Sequence, residues 1–245
     1  MARRVDDVRL GLKILAGRDR RDPYSVPVVL DAPRSGRTRR VAVLAEPPGG
    51  STDPRVATRV RAAATALAGA GYEVVETPPP AFEEVIQVWA AFLISDVRQM
   101  MPIIGPLLSK DANQFLESTL AAVPQLDLAG YSGVLMRRQA LMRDWAMWFA
   151  DVDVLLTPTW TQLPFAHGWD VEPDNALATL EMMRCVTHAN VLGLPSACVS
   201  AGLVDGLPVG VLLTADRFAD LVALEAAEII ETALAPATPI EPITA

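Results

Sequence analysis

The chain has 245 residues, which is enough for one large α/β domain with a sizeable core. Its formal net charge of −8 argues against a surface for nucleic acid or anionic lipid. Its two cysteines, Cys185 and Cys198, form no disulfide framework and match no metal motif, which predicts buried free thiols in a cytoplasmic protein. We find no secretory signal or membrane-spanning run, and we predict no metal site and no cofactor.

The first third of the chain predicts a helix followed by a β-α-β unit. Apolar residues recur at helical spacing from Val5 to Leu15, and Gly17 is placed to end that helix. The connector from 18 to 39 has no period of its own. The β-α-β unit comprises a strand at 40–45, a helix at 54–68 capped by Asp53, and a strand at 72–76.

A glycine-rich loop at 47–51 precedes the helix of this unit. Such a loop before a helix N-terminus can bind an anion. However, no lysine follows its glycines, and the G-x-G-x-x-G pattern of dinucleotide sites is absent. We therefore predict a structural turn here.

The middle of the chain is predicted to be helical from 81 to 150, with breaks at Pro102, Pro106 and Pro124. A buried strand at 153–156 follows, and the loop Thr157-Pro158-Thr159 leaves it. Loops at the strand ends of α/β sheets are common ligand sites, whereas a plain proline-stiffened turn is the alternative.

The last third predicts a helix at 175–189, two buried strands and a closing helix. The strands at 196–200 and 207–213 are joined by a tight turn at Asp205-Gly206, because glycine tolerates positive φ. The closing helix spans 218–234, and the tail from 235 to 245 is predicted to be frayed.

Catalytic lysine chemistry is not visible in this chain. Lys13 and Lys110 are its lysines, and leucine rather than serine stands three residues before each, so no S-x-x-K dyad exists. We therefore assign no catalytic lysine.

Histidine-based chemistry has equally little support. A Ser-His-Asp arrangement would need His188, or His167 with Asp170 nearby, and no G-x-S-x-G nucleophile elbow is present. A pair of His188 and Cys198 is conceivable, but Cys198 lies within an apolar strand. We predict no catalytic residue in this chain.

Four stretches together resemble one family. The stretch starting at Asn190 reads NVLGLPSACVSAGLVDGLPVGVLL, the one starting at Ala2 reads ARRVDDVRLGLKILAGRDRRDP, and the one starting at Asp151 reads DVDVLLTPT. With the unit from Val41 to Glu76, they are similar, in order, to the C-terminal part of the amidase family. These are serine amidases, which include the A subunits of tRNA-dependent amidotransferases.

This resemblance implies one α/β domain over 1–245, the C-terminal part of the amidase fold, with helices on both faces of a mixed sheet. It implies a complete enzyme that hydrolyses the C–N bond of a carboxylic amide through a nucleophilic Ser, a cis-Ser and a Lys. All three residues would lie upstream of this chain, which would then provide sheet and substrate-pocket wall and be inactive alone. The alternative is a non-catalytic subunit, or a binding or scaffold domain derived from an amidase, that needs a partner chain carrying the catalytic half.

The resemblance also assigns substrate-binding positions. Thr157, Pro158 and Thr159 would face the active site. Met183 stands where the A subunits of amidotransferases carry an Asp that helps to hold glutamine, seven residues before Asn190. A thioether cannot pair with an ammonium group, so we expect a neutral or hydrophobic amide as substrate.

Overall fold

A five-stranded mixed sheet forms the centre of the computed structural model, which describes residues 1–27, 30 and 37–234. Its strands are β1 (Arg40–Val43), β2 (Glu73–Val75), β3 (Val154–Pro158), β4 (Ser196–Val204) and β5 (Leu207–Thr214). In space they run β2-β1-β3-β5-β4, with β1 parallel to β2 and β3, and β5 antiparallel to β3 and β4. The predicted frayed tail at 235–245 and part of the connector lie outside the described residues.

Helices flank the sheet on both faces, which confirms the predicted fold class. They are α1 (Val5–Leu15), α2 (Pro54–Gly69), α3 (Phe82–Ile104), α4 (Lys110–Ala122), α5 (Leu128–Phe149), α6 (Ala176–Met182), α7 (Thr187–Leu192) and α8 (Asp220–Leu234).

The first face of the sheet is covered by α2 and α8. The α2 helix begins at Pro54 because the Asp53 carboxylate accepts a hydrogen bond of 2.8 Å from the Arg55 backbone N–H. Its apolar stripe and Ile230 of α8 pack on the strand residues Leu156 and Leu213, all fully buried. The α1 helix in turn lies on α8, where Arg9 forms a 2.7 Å ion pair with Glu228.

The second face carries α3, α5 and α7 over its parallel half. The largest fully buried side chain in this core is Trp145, which donates its indole N–H to the Pro80 carbonyl at 2.9 Å. The indole N–H of Trp89 donates to the side-chain oxygen of Asn190, also at 2.9 Å. Asn190 thereby ties the end of α7 to α3 and has a structural role.

Two predictions about helices are wrong. The expected break at Pro102 is absent, since α3 continues to Ile104 before a 3₁₀ turn at Gly105–Leu107. A proline this close to a helix end removes one N–H donor while the preceding turns stay bonded. The single helix expected at 175–189 is divided into α6, a 3₁₀ turn at Arg184–Val186 and α7, which lets Arg184 point into the interior.

The hairpin of β4 and β5 forms at the predicted turn, where Asp205 and Gly206 have φ values of 50° and 79°. Its two strands differ, however. The β5 strand lies inside the sheet and its second half is buried, whereas β4 lies at the sheet edge and is only partly buried. The prediction of two buried strands is therefore wrong for β4, because a short apolar run does not reveal which strand is outermost.

Candidate functional site

An open cavity lies over the antiparallel end of the second face, beyond the helices that cover its parallel half. Its volume is about 510 Å³. The residues that line it come from β4, β5 and the loop after β3: Thr159, Trp160, Gln162, Pro164, Phe165, Cys198, Ser200, Pro208, Val209 and Gly210.

The loop after β3 provides the aromatic wall. It continues the sheet for one residue, because the Thr159 N–H donates to the Gly210 carbonyl at 3.0 Å. Further along, the backbone N–H of Thr161 donates to the Met182 carbonyl at 2.9 Å, and Gln162 donates its side-chain N–H to the Ser51 carbonyl at 2.9 Å. These hydrogen bonds to two neighbouring segments fix the loop, which presents Trp160 and Phe165 to the cavity.

The edge strand β4 provides the opposite wall through alternate residues, whose side chains all point to the same face of the sheet. Side chains alternate between the faces of a strand, so Cys198 and Ser200 point to the open face while Val199 and Ala201 are buried on the covered face. This alternation makes β4 at once a core strand and part of a cavity.

The floor of the cavity is formed by Gly210 together with Thr159 and Cys198. The Thr159 hydroxyl oxygen and the Cys198 sulfur lie 3.1 Å apart, within hydrogen-bond distance. A Cβ at position 210 would lie 3.0 Å from that oxygen and 3.2 Å from that sulfur. The last glycine of the G-L-P-V-G-V stretch is therefore needed for space at the floor.

The two cysteines have opposite environments. Cys185 is buried as predicted, and burial raises the pKa of its thiol to about 12, so it is inert. Cys198 is exposed, and the prediction that it is buried is wrong. The sequence showed an apolar run around Cys198 but not that its side chain points to an uncovered part of the sheet.

His188 is fully buried and packs against the rings of Trp145 and Phe82, with ring centroids 5.2 and 5.8 Å away. Burial lowers the pKa of its imidazole to about 3, so the ring is neutral at physiological pH. Its Nε2 lies 2.9 Å from the Thr214 hydroxyl, which in turn lies 2.7 Å from the Ser196 hydroxyl. An imidazole this hard to protonate is unsuited to act as a general base.

The structure supports neither histidine-based arrangement. His188 hydrogen-bonds Thr214, while Cys198 contacts Thr159, so the two do not form a Cys-His pair. His167 is exposed, and no hydrogen bond joins it to Asp170 within the described ranges.

The glycine-rich loop at 47–51 has a structural explanation, as predicted. A Cβ at Gly49 would clash with the Glu83 carboxylate, and one at Gly50 with the Arg184 guanidinium. Arg184 is buried and pairs with Glu83 at 3.2 Å and Glu181 at 2.9 Å. Two carboxylates beside one guanidinium do not favour an anion.

The substrate-binding assignments remain predictions, and the structure places their residues differently from one another. Thr159 lines the cavity. Thr157 and Pro158 belong to β3 rather than to a loop, and both are buried. Met183 is partly buried against the second core, away from the cavity lining.

Several cavity residues escaped the sequence reasoning, namely Trp160, Phe165 and Gly210. A tryptophan and a phenylalanine in a polar, proline-rich loop just after a strand were the available signal. No cluster of three His, Cys, Asp or Glu in the described part of the chain could hold a metal ion. None of the helices described is both long enough and apolar enough to cross a bilayer.

A mixed sheet with an apolar cavity over one end is an α/β architecture suited to binding small molecules. The model of one family, Amidase, matches residues 1–224, and the chain belongs to the amidase family. This confirms the resemblance found in the sequence.

Individual relatives agree with this assignment. An indoleacetamide hydrolase of Bradyrhizobium diazoefficiens is 34% identical over 236 residues, covering 94% of this chain and 45% of the relative. The A subunit of the glutamyl-tRNA(Gln) amidotransferase of Salinispora arenicola is 27% identical, covering 97% of this chain and 55% of that relative. The structure of a bacterial aryl acylamidase matches with a TM-score of 0.73 at 25% identity, covering 95% of this chain and 52% of that one. The chain thus spans about half the length of the curated relatives that it matches.

Proposed function

We propose that this chain forms the substrate-binding wall of an amidase that hydrolyses the C–N bond of a small, neutral carboxylic amide. The nucleophilic Ser, the cis-Ser and the Lys that the family resemblance implies would come from a catalytic half outside these residues. In this proposal the Lys acts as base through the cis-Ser, and the Ser forms an acyl-enzyme. Two free thiols and a net charge of −8 fit a cytoplasmic enzyme.

The observation that carries this proposal is the absence of charge in the cavity. Its ten lining residues include no Asp, Glu, Lys, Arg or His. Glutamine would bring an ammonium and a carboxylate, and each would lose hydration without gaining a partner there. Met183 offers no carboxylate either, and its side chain packs against the second core. The relatives named for indoleacetamide hydrolysis and aryl acylamidase activity are consistent with a neutral amide.

The first experiment measures hydrolysis of aryl amides, alkyl amides and glutamine by the purified chain, alongside the protein isolated from its native host. Mass spectrometry of the native protein reads its N-terminus. We expect no turnover by the 245-residue chain and turnover of neutral amides by a longer native protein. Turnover of amides by this chain alone would overturn the assignment of catalysis to an upstream half, and a preference for glutamine would overturn the neutral substrate.

A second candidate is a non-catalytic subunit, or a binding or scaffold domain, that needs a partner chain with the catalytic half. Two surfaces favour it. The β4 strand has an unpaired edge in the described sheet, and α1 exposes Leu10, Ile14 and Leu15. A native protein that begins at Met1 and copurifies with a second amidase-like chain would favour this candidate over the first.

A further inference from the structure

Aromatic and proline side chains form much of the wall of the cavity over β4 and β5. Trp160 and Phe165 have ring centroids 6.0 Å apart with planes inclined by 58°. Phe165 is itself held by Trp169, whose ring centroid is 5.0 Å away. Pro164 and Pro208 complete an apolar lining that needs little ordering when a ligand binds, because aromatic and proline side chains have few rotatable bonds.

Several polar side chains of the cavity already have partners within the protein. The Thr159 hydroxyl contacts the Cys198 thiol, and the side-chain N–H of Gln162 is donated to Ser51. A ligand with a formal charge would find no oppositely charged side chain in the lining. The site can accept apolar surface, and it can offer weak polar contacts at its floor.

The size of the cavity limits the ligand. Its volume of about 510 Å³ lies within the range of about 300–1,000 Å³ that is usual for small-molecule sites. Gly210 gives the floor its depth, because a Cβ there would reach the Thr159 oxygen and the Cys198 sulfur. The two rings at the wall offer faces and edges against which an aromatic ring can stack.

We propose that this cavity is the specificity site for an uncharged aromatic group, bound against Trp160 and Phe165 above the floor of Gly210, Thr159 and Cys198. The proposal rests on the proposed function only in taking that group to be part of an amide substrate. Ring stacking and edge-to-face contacts favour an aromatic group over an aliphatic one of equal size, and the lack of charged lining residues favours a neutral ligand over an anion.

The test uses Cys198 as a reporter of occupancy and requires no turnover. N-ethylmaleimide is added to the full chain, and the labelled cysteines are identified by mass spectrometry. We expect labelling of exposed Cys198, and none of Cys185, whose thiol is buried with a pKa of about 12. Equal labelling of Cys185 would show that the buried and open faces are not distinct, and would overturn the geometry on which the cavity depends.

Four small molecules then compete with the label: indole-3-acetamide, phenylacetamide, cyclohexylacetamide and indole-3-acetate. At ten times its Kd, a ligand over Cys198 slows labelling by about tenfold through simple mass action. We expect this protection from the two aromatic amides, weaker protection from cyclohexylacetamide, and the least from the charged indole-3-acetate. No protection by either aromatic amide, or equal protection by all four compounds, overturns the proposal.

Matched glycine variants link the protection to the floor. Gly210→Ala places a methyl group against Thr159 and Cys198, whereas Gly133→Ala adds one in α5 with nothing within 4 Å. Each protein is compared with and without ligand, so that a change in the intrinsic reactivity of Cys198 cancels. We expect at least fivefold loss of apparent affinity in Gly210→Ala and Trp160→Ala, and none in Gly133→Ala. Full protection in both cavity variants would overturn the proposal.

The result of this labelling test can be told apart from the result of the hydrolysis experiment that tests the proposed function. Hydrolysis of aryl amides by the longer native protein without protection of Cys198 would remove this cavity as the specificity site and leave the amidase proposal standing. Protection by aromatic amides with no hydrolysis by any form of the protein would keep the cavity proposal and remove the amidase proposal.

Discussion

The two sides of the β4–β5 hairpin have opposite surroundings. On one side, Val199, Val211 and Leu213 are buried beneath α2 and α8. On the other side, Cys198 and Gly210 line an open cavity, because the helices of the second core cover the parallel half of the sheet and reach β5 only at its Thr214 end. The same two strands therefore form the core through one set of alternate residues and a binding surface through the other.

Residues that stabilise the fold and residues that line the cavity therefore lie on opposite faces of the same two strands. Residues on the covered side contribute to the free energy of folding by removing apolar area from water. Residues on the open side are free to be selected for what they bind, as long as β4 keeps its pairing with β5. We therefore expect substitutions on the covered side to change the free energy of unfolding, and substitutions on the open side to change ligand binding.

The largest effect is expected on the covered side. Leu213→Ala removes a fully buried side chain and should lower the free energy of unfolding by about 3 kcal/mol, within the usual range of about 2–5 kcal/mol. Leu203→Ala on β4, where the residue is 53% exposed, is the control and should cost less than about 1 kcal/mol. Urea denaturation measures both, and equal losses would mean that the two sides of the hairpin are not distinct.

We expect His188 to have an effect of intermediate size, and one that depends on pH, on the free energy of unfolding. This residue lies on the second face, where the covered core meets Thr214. Its folded pKa is about 3 against an ordinary 6.5, so the unfolded state binds a proton at pH values where the folded state does not. The contribution of the neutral His188 to the free energy of unfolding is complete above pH 6.5 and is lost as the pH falls toward 3. Between pH 7 and 5 the loss should be about 2 kcal/mol.

The control for this effect is His188→Gln, which can still hydrogen-bond Thr214 but does not titrate. Denaturation curves at several pH values should show that the free energy of unfolding falls between pH 7 and 5 in the original protein. This slope should be absent in the variant. Asp53 and Glu84, whose carboxyl pKa values are lowered by Arg55 and Arg137, act only at lower pH. An unchanged slope in His188→Gln would show that other groups produce it and that burial does not lower the pKa of His188.

The smallest effect concerns the cap of the helix that covers the first face. Asp53→Ala removes the acceptor for the Arg55 backbone N–H and should lower the free energy of unfolding by about 1 kcal/mol. Asp53→Asn keeps an acceptor at the same position and should cost only a few tenths of that amount. Thermal denaturation compares the three proteins, and a loss in the asparagine variant equal to that in the alanine variant would show that charge rather than capping stabilises α2.

Features that depend on neighbouring residues were predictable from the sequence. The Asp53 cap and the turn at Asp205-Gly206 follow from local hydrogen bonds and backbone freedom. Proline was a less certain guide, since Pro102 lies inside α3. Its effect depends on how much helix surrounds it, which tertiary packing determines.

The sequence by itself determined the family and most of the order of helices and strands, because both follow from short motifs and local periodicity. Only the tertiary structure decided that β4 lies at the edge, that Cys198 is exposed, and that Trp160, Phe165 and Gly210 meet around one cavity. These facts depend on the order of strands in space and on where the covering helices end. Neither is encoded in the spacing of residues along a single strand.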